Sequence, residues 1–157
     1  MAYAENTSVP IEKSVAEIVG LVKKAGATSI AQWEEPARFT IQFSLSARLL
    51  RFRVTLPAWQ DMPERNGRRE VLSQAQREVI AARRAMQRAR ALLLVIKAKL
   101  ESVESNVESF EEAFLANVVM ADGATVYERV AQPIALEYQT GAPSTMLLAG
   151  PSNMGKS

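Results

Sequence analysis

Apolar side chains recur at alternating spacings of three and four between Gly67 and Val107: Leu72, Ala75, Val79, Ala82, Met86, Ala89, Leu93, Ile96, Leu100, Val103 and Val107. This is the stripe of an amphipathic helix, and it also fits a heptad seam. Ala, Leu, Arg, Gln, Glu and Lys dominate the stretch, and neither Pro nor Gly occurs from Arg68 to Asn106. Most of it therefore predicts one long helix. Its halves differ. Arg68, Arg69, Arg77, Arg83, Arg84, Arg88 and Arg90 stand off the seam in the first half, whereas Ala91 to Ile96 is apolar all round. The pattern predicts a helix anchored in a core at its C-terminal half and projecting a basic N-terminal half.

The remaining elements follow from shorter periods. Ile11, Val15, Ile18, Val19 and Val22 make one helical stripe. Ser8 is the expected N-cap, Pro10 the first-turn residue, Lys23 and Lys24 the last-turn cations and Gly26 the stop. Thr28 to Trp33 reads as a strand. Phe39, Ile41, Phe43 and Leu45 alternate with Thr40, Gln42 and Ser44, and Leu50, Phe52, Val54 and Leu56 with Arg51, Arg53 and Thr55. These are two half-buried strands, with breaks at Glu35-Pro36 and Ser46-Ala47. An antiparallel meander results, its open face carrying Thr40, Gln42, Ser44, Arg51 and Arg53. Pro57 to Gly67 reads as a loop in which Trp59 is either anchored on the core or exposed for a partner. Ser109 caps a short helix with Phe110, Phe114 and Leu115. Val118 to Met120 is a short strand, and Asp122-Gly123 a turn. A last helix from Thr125 to Tyr138 places Val126, Val130, Ile134 and Tyr138 on one side and is kinked or broken at Pro133. The expected class is α+β: an N-terminal helix, a three-stranded antiparallel meander, a long amphipathic helix and two short C-terminal helices. Residues 1–141 form one domain, and 142–157 a flexible tail.

Composition narrows the chemistry. The 157 residues include no Cys and no His. Disulfides, thiolate metal sites and His-activated nucleophiles are thereby excluded. No cofactor, metal site or catalytic residue is assigned, and the expectation is a protein that is not an enzyme. The longest apolar run, Ala91 to Ile96, is far short of the roughly 20 residues of a membrane span. The N-terminus has neither the basic nor the apolar region of a secretory signal. No membrane association and a cytoplasmic location are expected.

The net charge of +2 conceals segregation. Residues 38–99 hold 14 basic and 4 acidic side chains, and the rest of the chain holds 5 and 13. Such asymmetry can steer an anionic partner, or the acidic ends can fold back and neutralise the basic middle. Arg69, Arg83, Arg90 and Lys97 fall on one edge of the long helix, with Arg77, Arg84 and Arg88 beside it. Together with Arg51 and Arg53 they are the candidate contacts to a DNA or RNA backbone. No aromatic-rich platform accompanies them, which favours backbone contact over base reading. The same residues also suit charges flanking a seam that closes a homo-oligomer or captures a host protein, or a plain solvated face. Ala75, Ala82 and Ala89 permit close approach of a second helix or close packing on the protein's own sheet. Glu101, Glu104, Glu108, Glu111 and Glu112 are spaced as a solvent-facing acidic surface; paired acids can also do acid–base or metal work, but the His and Asp partners of such sites are missing here.

Gly150-Pro-Ser-Asn-Met-Gly155-Lys156-Ser157 satisfies the phosphate-cradling pattern G-x-x-x-x-G-K-S after the apolar run Met146 to Ala149. Gly150, Gly155, Lys156 and Ser157 are its nucleotide-binding candidates. That chemistry needs a helix after the loop, with the phosphates on its N-terminus. The sequence ends at Ser157, so the match is expected to be accidental unless a longer chain continues it.

Several stretches resemble a family of small uncharacterised proteins of tailed phages and prophages. They are Tyr3-Ala-Glu-Asn-Thr-Ser-Val-Pro10, Arg51-Phe-Arg-Val-Thr-Leu-Pro57, Leu94 to Glu104 (Leu-Val-Ile-Lys-Ala-Lys-Leu-Glu-Ser-Val-Glu), Phe110-Glu-Glu-Ala-Phe-Leu115 and Asp122-Gly123. The resemblance implies a phage accessory protein acting in the host cytoplasm, and assigns no catalytic residue. Members are similar in a short tail like Met146 to Pro151, which places the phosphate-loop pattern in a variable region.

Overall fold

A computed structural model describes residues 9–145. Ser8 and the Gly150–Ser157 pattern lie outside them.

The first helix, α1 (Ile11–Lys24), begins immediately after Pro10. Pro10 is thus the capping residue rather than a member of the first turn, as its φ of −57° and ψ of 146° require. Ser14, Val15, Ile18 and Val22 are buried. The helix stops where Gly26 takes φ 99°. The Gly26 amide then reaches the Lys23 carbonyl and the Ala27 amide the Val22 carbonyl, at 3.0 and 2.8 Å. This pair of bonds satisfies the carbonyls a helix end leaves open.

Three antiparallel strands follow in sheet order: β1 (Thr28–Glu35), β2 (Arg38–Leu45) and β3 (Arg48–Thr55). β1 runs past the expected Trp33 because the turn occupies Pro36 and Ala37. The second turn is Ser46-Ala47, both at positive φ (49° and 59°). That is the twist a two-residue hairpin needs, made here without glycine. Phe39, Ile41, Phe43, Leu50 and Phe52 alternate onto one face and bury against Val15, Ile18, Leu92, Leu93 and Ile96. Phe43 stacks on Phe52 at 6.0 Å, and Phe114 meets Phe52 edge-on at 6.4 Å. Each such side chain contributes about 1.5–3 kcal/mol when fully buried.

The opposite face is not open. Thr40 is wholly buried and Arg51 half-buried. The turn at Asp122-Gly123 and the first turn of α4 (Val126–Thr140) supply groups to it: the Gly123 carbonyl accepts from Arg51 at 2.7 Å, and Glu128 pairs with Arg53. Val118 and Val119 run along the free edge of β3 through the bridge to Leu50 and a bond from the Val119 amide to the Leu49 carbonyl.

The long helix, α2, spans Gln74–Glu104, not the whole of the expected stretch. Ser73 and Gln76 form a reciprocal capping box that defines its start. Residues before it fold separately, so Arg68, Arg69 and Leu72 are not on the helix. Asn106, at φ 56°, closes its far end. Glu17 pairs with Arg90, and Lys24 and Lys97 share the groove one turn-pair further on, so α1 and α2 run parallel. Residues 74–83 therefore extend past the start of α1, by about 15 Å at the helical rise.

The expected seam holds in the second half, where Ala89, Leu93 and Ile96 are buried, as is Leu92. Val95 is 46% exposed, so the apolar run is not enclosed all round. In the first half the seam faces solvent: Ala75, Val79 and Ala82 are exposed, and Ala81 is the buried residue. The short helix α3 (Phe110–Phe114) is capped by Ser109, and its Phe114 is fully buried. α4 continues through Pro133, which is buried with Val126 and Val130 half-buried beside it. Ile134 and Tyr138 instead point outward, Tyr138 at 90% exposure.

Candidate nucleic-acid interface

The basic candidates do not form one surface. Arg51 and Arg53 alternate with Phe52 on β3, so they leave the sheet on the side away from α2. Arg51 donates to the Gln42 side chain at 2.9 Å as well as to Gly123, and Arg53 is held by Glu128. Neither lies with the helix cations.

On α2 the candidates divide by partner. Arg77 donates to the carbonyls of Gln60 and Met62 at 2.7 and 2.8 Å, and its guanidinium lies 5.3 Å from the centre of the Trp59 ring. It clamps the 3-10 turn Trp59–Asp61 onto the helix, so Trp59 is held against Arg77 and not in the hydrophobic core, where one of its two expected placements put it. Arg88 donates to the Thr55 carbonyl, tying α2 to the end of β3. Arg90 joins Glu17 at 2.9 Å and so links α2 to α1. These are structural arginines. Their carbonyl and carboxylate partners are a feature that helical spacing cannot reveal.

Arg83, Arg84 and Lys97 are exposed and have no hydrogen-bond or ion-pair partner among the described residues. Lys97 lies toward the anchored end of α2, beside Lys24. Arg83 and Arg84 lie where α2 passes the start of α1.

The segment just before α2 adds two more cations. Residues 64–72 form a small hairpin, with Arg65 bridged to Val71 and the Leu72 amide bonded to the Glu64 carbonyl at 2.8 Å. The Asn66 side-chain oxygen accepts from the amides of Arg68 and Glu70, at 2.9 and 3.0 Å. Arg69 sits at φ 65°, a conformation a side-chain-bearing residue seldom adopts. Its carbonyl accepts from Arg65. The tip thus presents Arg68 and Arg69 to solvent with side chains unpartnered among the described residues. The helical expectation names Arg69 but not Arg68 as a candidate contact. The Asn66-Gly67 pair is the turn signal that could have found the hairpin.

Acidic residues outside 38–99 neutralise part of the basic middle. Glu17, Glu35, Glu111 and Glu128 pair with Arg90, Arg38, Arg48 and Arg53. No such partner reaches Arg68, Arg69, Arg83 or Arg84 among the described residues. The nearby acids are engaged elsewhere, Glu70 by Asn66 and Glu78 by Gln74, at 2.7 and 2.8 Å.

The glutamates after α2 are divided among local contacts. Glu101 accepts from Ser105, Glu108 from Ser102, and Glu111 pairs with Arg48. No group of three carboxylates able to hold a metal ion occurs among the described residues. Asp122 is the one described group with a resolved change in acidity: its bond from Arg129, then that from the Ala124 amide, hold its carboxyl below the usual aspartate range. It is a surface turn acid, away from the basic hairpin. A cleft of about 450 Å³ between α1, α2 and α3 has an apolar floor of Leu21, Leu45, Leu100 and Phe114, with Lys24 and Lys97 among its lining residues. No described helix is long and apolar enough to cross a membrane. No family model, curated protein or solved structure matches this chain.

Proposed function

We propose that this protein binds the sugar-phosphate backbone of nucleic acid through the exposed cations at the N-terminal end of α2, as a phage accessory protein without catalytic chemistry. The observation that carries the reading is the contrast among the arginines. Those near the core are consumed by carbonyls and carboxylates, whereas Arg68 and Arg69 on the hairpin before α2, and Arg83 and Arg84 in its first half, are exposed with no partner among the described residues. Unneutralised cations on the hairpin and the first half of α2 raise the local potential and attract a polyanion. Arg51, Arg53, Arg77, Arg88 and Arg90 have structural work and are not part of the proposed contact.

The test is titration of labelled DNA with the wild type and with Arg83→Glu/Arg84→Glu at low salt. Binding by the wild type and its loss in the variant are expected; unchanged binding by the variant overturns the reading. Co-purification of nucleic acid with the protein at low salt gives an independent check.

A second reading draws on the exposed seam. Ala75, Val79 and Ala82 form an apolar stripe facing solvent, suited to a second helix from another copy or a host protein. A solution mass measured at micromolar concentration decides the homodimer version, which a monomer excludes.

A further inference from the structure

We infer that two copies of this protein join through the free edge of β1, pairing the strands antiparallel so that one sheet runs through both, with α1 beside the partner's α1 along the seam.

β1 is an outer strand of the sheet, and no backbone bond or bridge from elsewhere in the described residues reaches its outer side. The other edge of the sheet is different, since Val118 and Val119 lie along β3. All of β1 except Ile30 is exposed, Trp33 included at 39%. The Pro36-Ala37 turn fixes which backbone groups point outward. A two-residue turn makes Glu35 and Arg38 a hydrogen-bonded pair, and alternation then bonds Trp33 to Thr40 and Ala31 to Gln42. The bond from the Leu56 amide to the Ala37 carbonyl, on the β3 side, keeps the same phase. The amides and carbonyls of Gln32 and Glu34 therefore face away from β2. Such groups are a ready template for another strand.

Charge selects a second copy as that strand. α1 lies along this edge. Glu12, Val15, Ala16 and Val19 share one groove with Gln32, Trp33 and Glu34, whereas Val19 and Lys23 share another with Thr28 to Gln32. One end of the edge is thus acidic, at Glu12 and Glu34, and the other basic, at Lys23. None of these three has a partner among the described residues, and the neighbouring Glu35 is already paired with Arg38. A two-fold axis reverses the order of the ends, so each copy's Glu12 and Glu34 meet the partner's Lys23.

The register agrees on both elements. Centred on Gln32, the strand sets Glu34 opposite the partner's Ile30. It sets Trp33 opposite the partner's Ala31, whose small side chain leaves room for the indole. On the helix, the antiparallel order that sets Glu12 against the partner's Lys23 also sets Ala16 against the partner's Val19. The middle of the seam is small and apolar, and its ends carry opposite charges. The bulge at Ser29, with φ 51°, confines the strand pairing to residues 30–34.

Sedimentation equilibrium at micromolar concentration gives the mass of the wild type and three variants. The wild type should be a dimer. Gln32→Pro removes an outward amide that makes no bond to β2, so it should dissociate the dimer while keeping the fold. Lys23→Glu, at an exposed helix position, should weaken the dimer about 10-fold or more, and so should Glu12→Lys/Glu34→Lys. Mixing these two charge variants should restore a dimer of one copy each, because every acid then faces a cation. A monomeric wild type overturns the inference. So does a dimer that Gln32→Pro and the charge reversals leave unchanged, which places the contact elsewhere, as on the α2 stripe of Ala75, Val79 and Ala82. Failure of the two charge variants to recombine also overturns it, and that exchange decides alone should Gln32→Pro not fold.

Discussion

Replacing Arg77 by Ala should cost stability and leave nucleic-acid binding nearly intact, the reverse of replacing Arg83. Arg77 makes two hydrogen bonds from a charged group to the carbonyls of Gln60 and Met62 and covers Trp59 at 5.3 Å. Hydrogen bonds to charged groups are worth roughly 1.5–3 kcal/mol each, and an exposed cation–π contact roughly 0.5–1 kcal/mol. Gln60 is exposed and water can replace part of what is lost, so the expected cost is about 2–3 kcal/mol rather than the full sum. For a chain of this size that lowers the melting temperature by about 5–10 °C. Arg83, lacking a described partner, should change stability by less than about 0.5 kcal/mol. Urea unfolding followed by tryptophan fluorescence reads the difference, because Trp59 lies in the turn that Arg77 clamps. Equal midpoints for Arg77→Ala and Arg83→Ala would refute the division into structural and free arginines. So would loss of DNA binding in a fully stable Arg77→Ala protein.

Two further outcomes test the local account. Ala47→Gly should stabilise the protein by roughly 0.5–1 kcal/mol, since relief of a left-handed alanine outweighs the entropy glycine adds to the unfolded chain; thermal melting checks it, and a lowered melting temperature would contradict the turn assignment. Asp122 should titrate by carbon NMR below the ordinary aspartate range and return toward it in Arg129→Ala. Its lowered pKa means that the turn contact helps the fold at neutral pH and stops helping as pH falls through the folded-state value.

The sequence was most legible where one face of an element meets one core. The apolar positions of β2 and β3 and the Val15–Val22 stripe reported burial directly, because they meet in one core. The long helix was harder. Its spacing of three and four is the same from Ala75 to Val103, whether the stripe is buried, as at Leu93 and Ile96, or exposed, as at Val79. Periodicity shows that a helix has an apolar side, not what covers it. Its start was nonetheless written in Ser73 and Gln76, a capping pair that the continuous apolar pattern masked. The far face of the sheet was misjudged because its cover arrives from distant residues: Arg53 and Glu128 are 75 positions apart. Arg90 and Glu17 are separated by 73. Which arginines remain free is thus a property of the folded chain. Among the nominated helix residues only Arg83, Arg84 and Lys97 stayed unpaired among the described residues, and Arg68 and Arg69 joined them from a hairpin.

The most direct measurement is the salt dependence of DNA affinity. Four free guanidinium groups, each displacing about one counterion, give a slope of log K against log salt near −3.6, or a roughly 10²-fold loss between about 50 and 200 mM. Arg68→Ser/Arg69→Ser should halve the slope to about −1.8. Affinity independent of salt, or an identical slope in the variant, would contradict the claim that these unpaired cations make the contact.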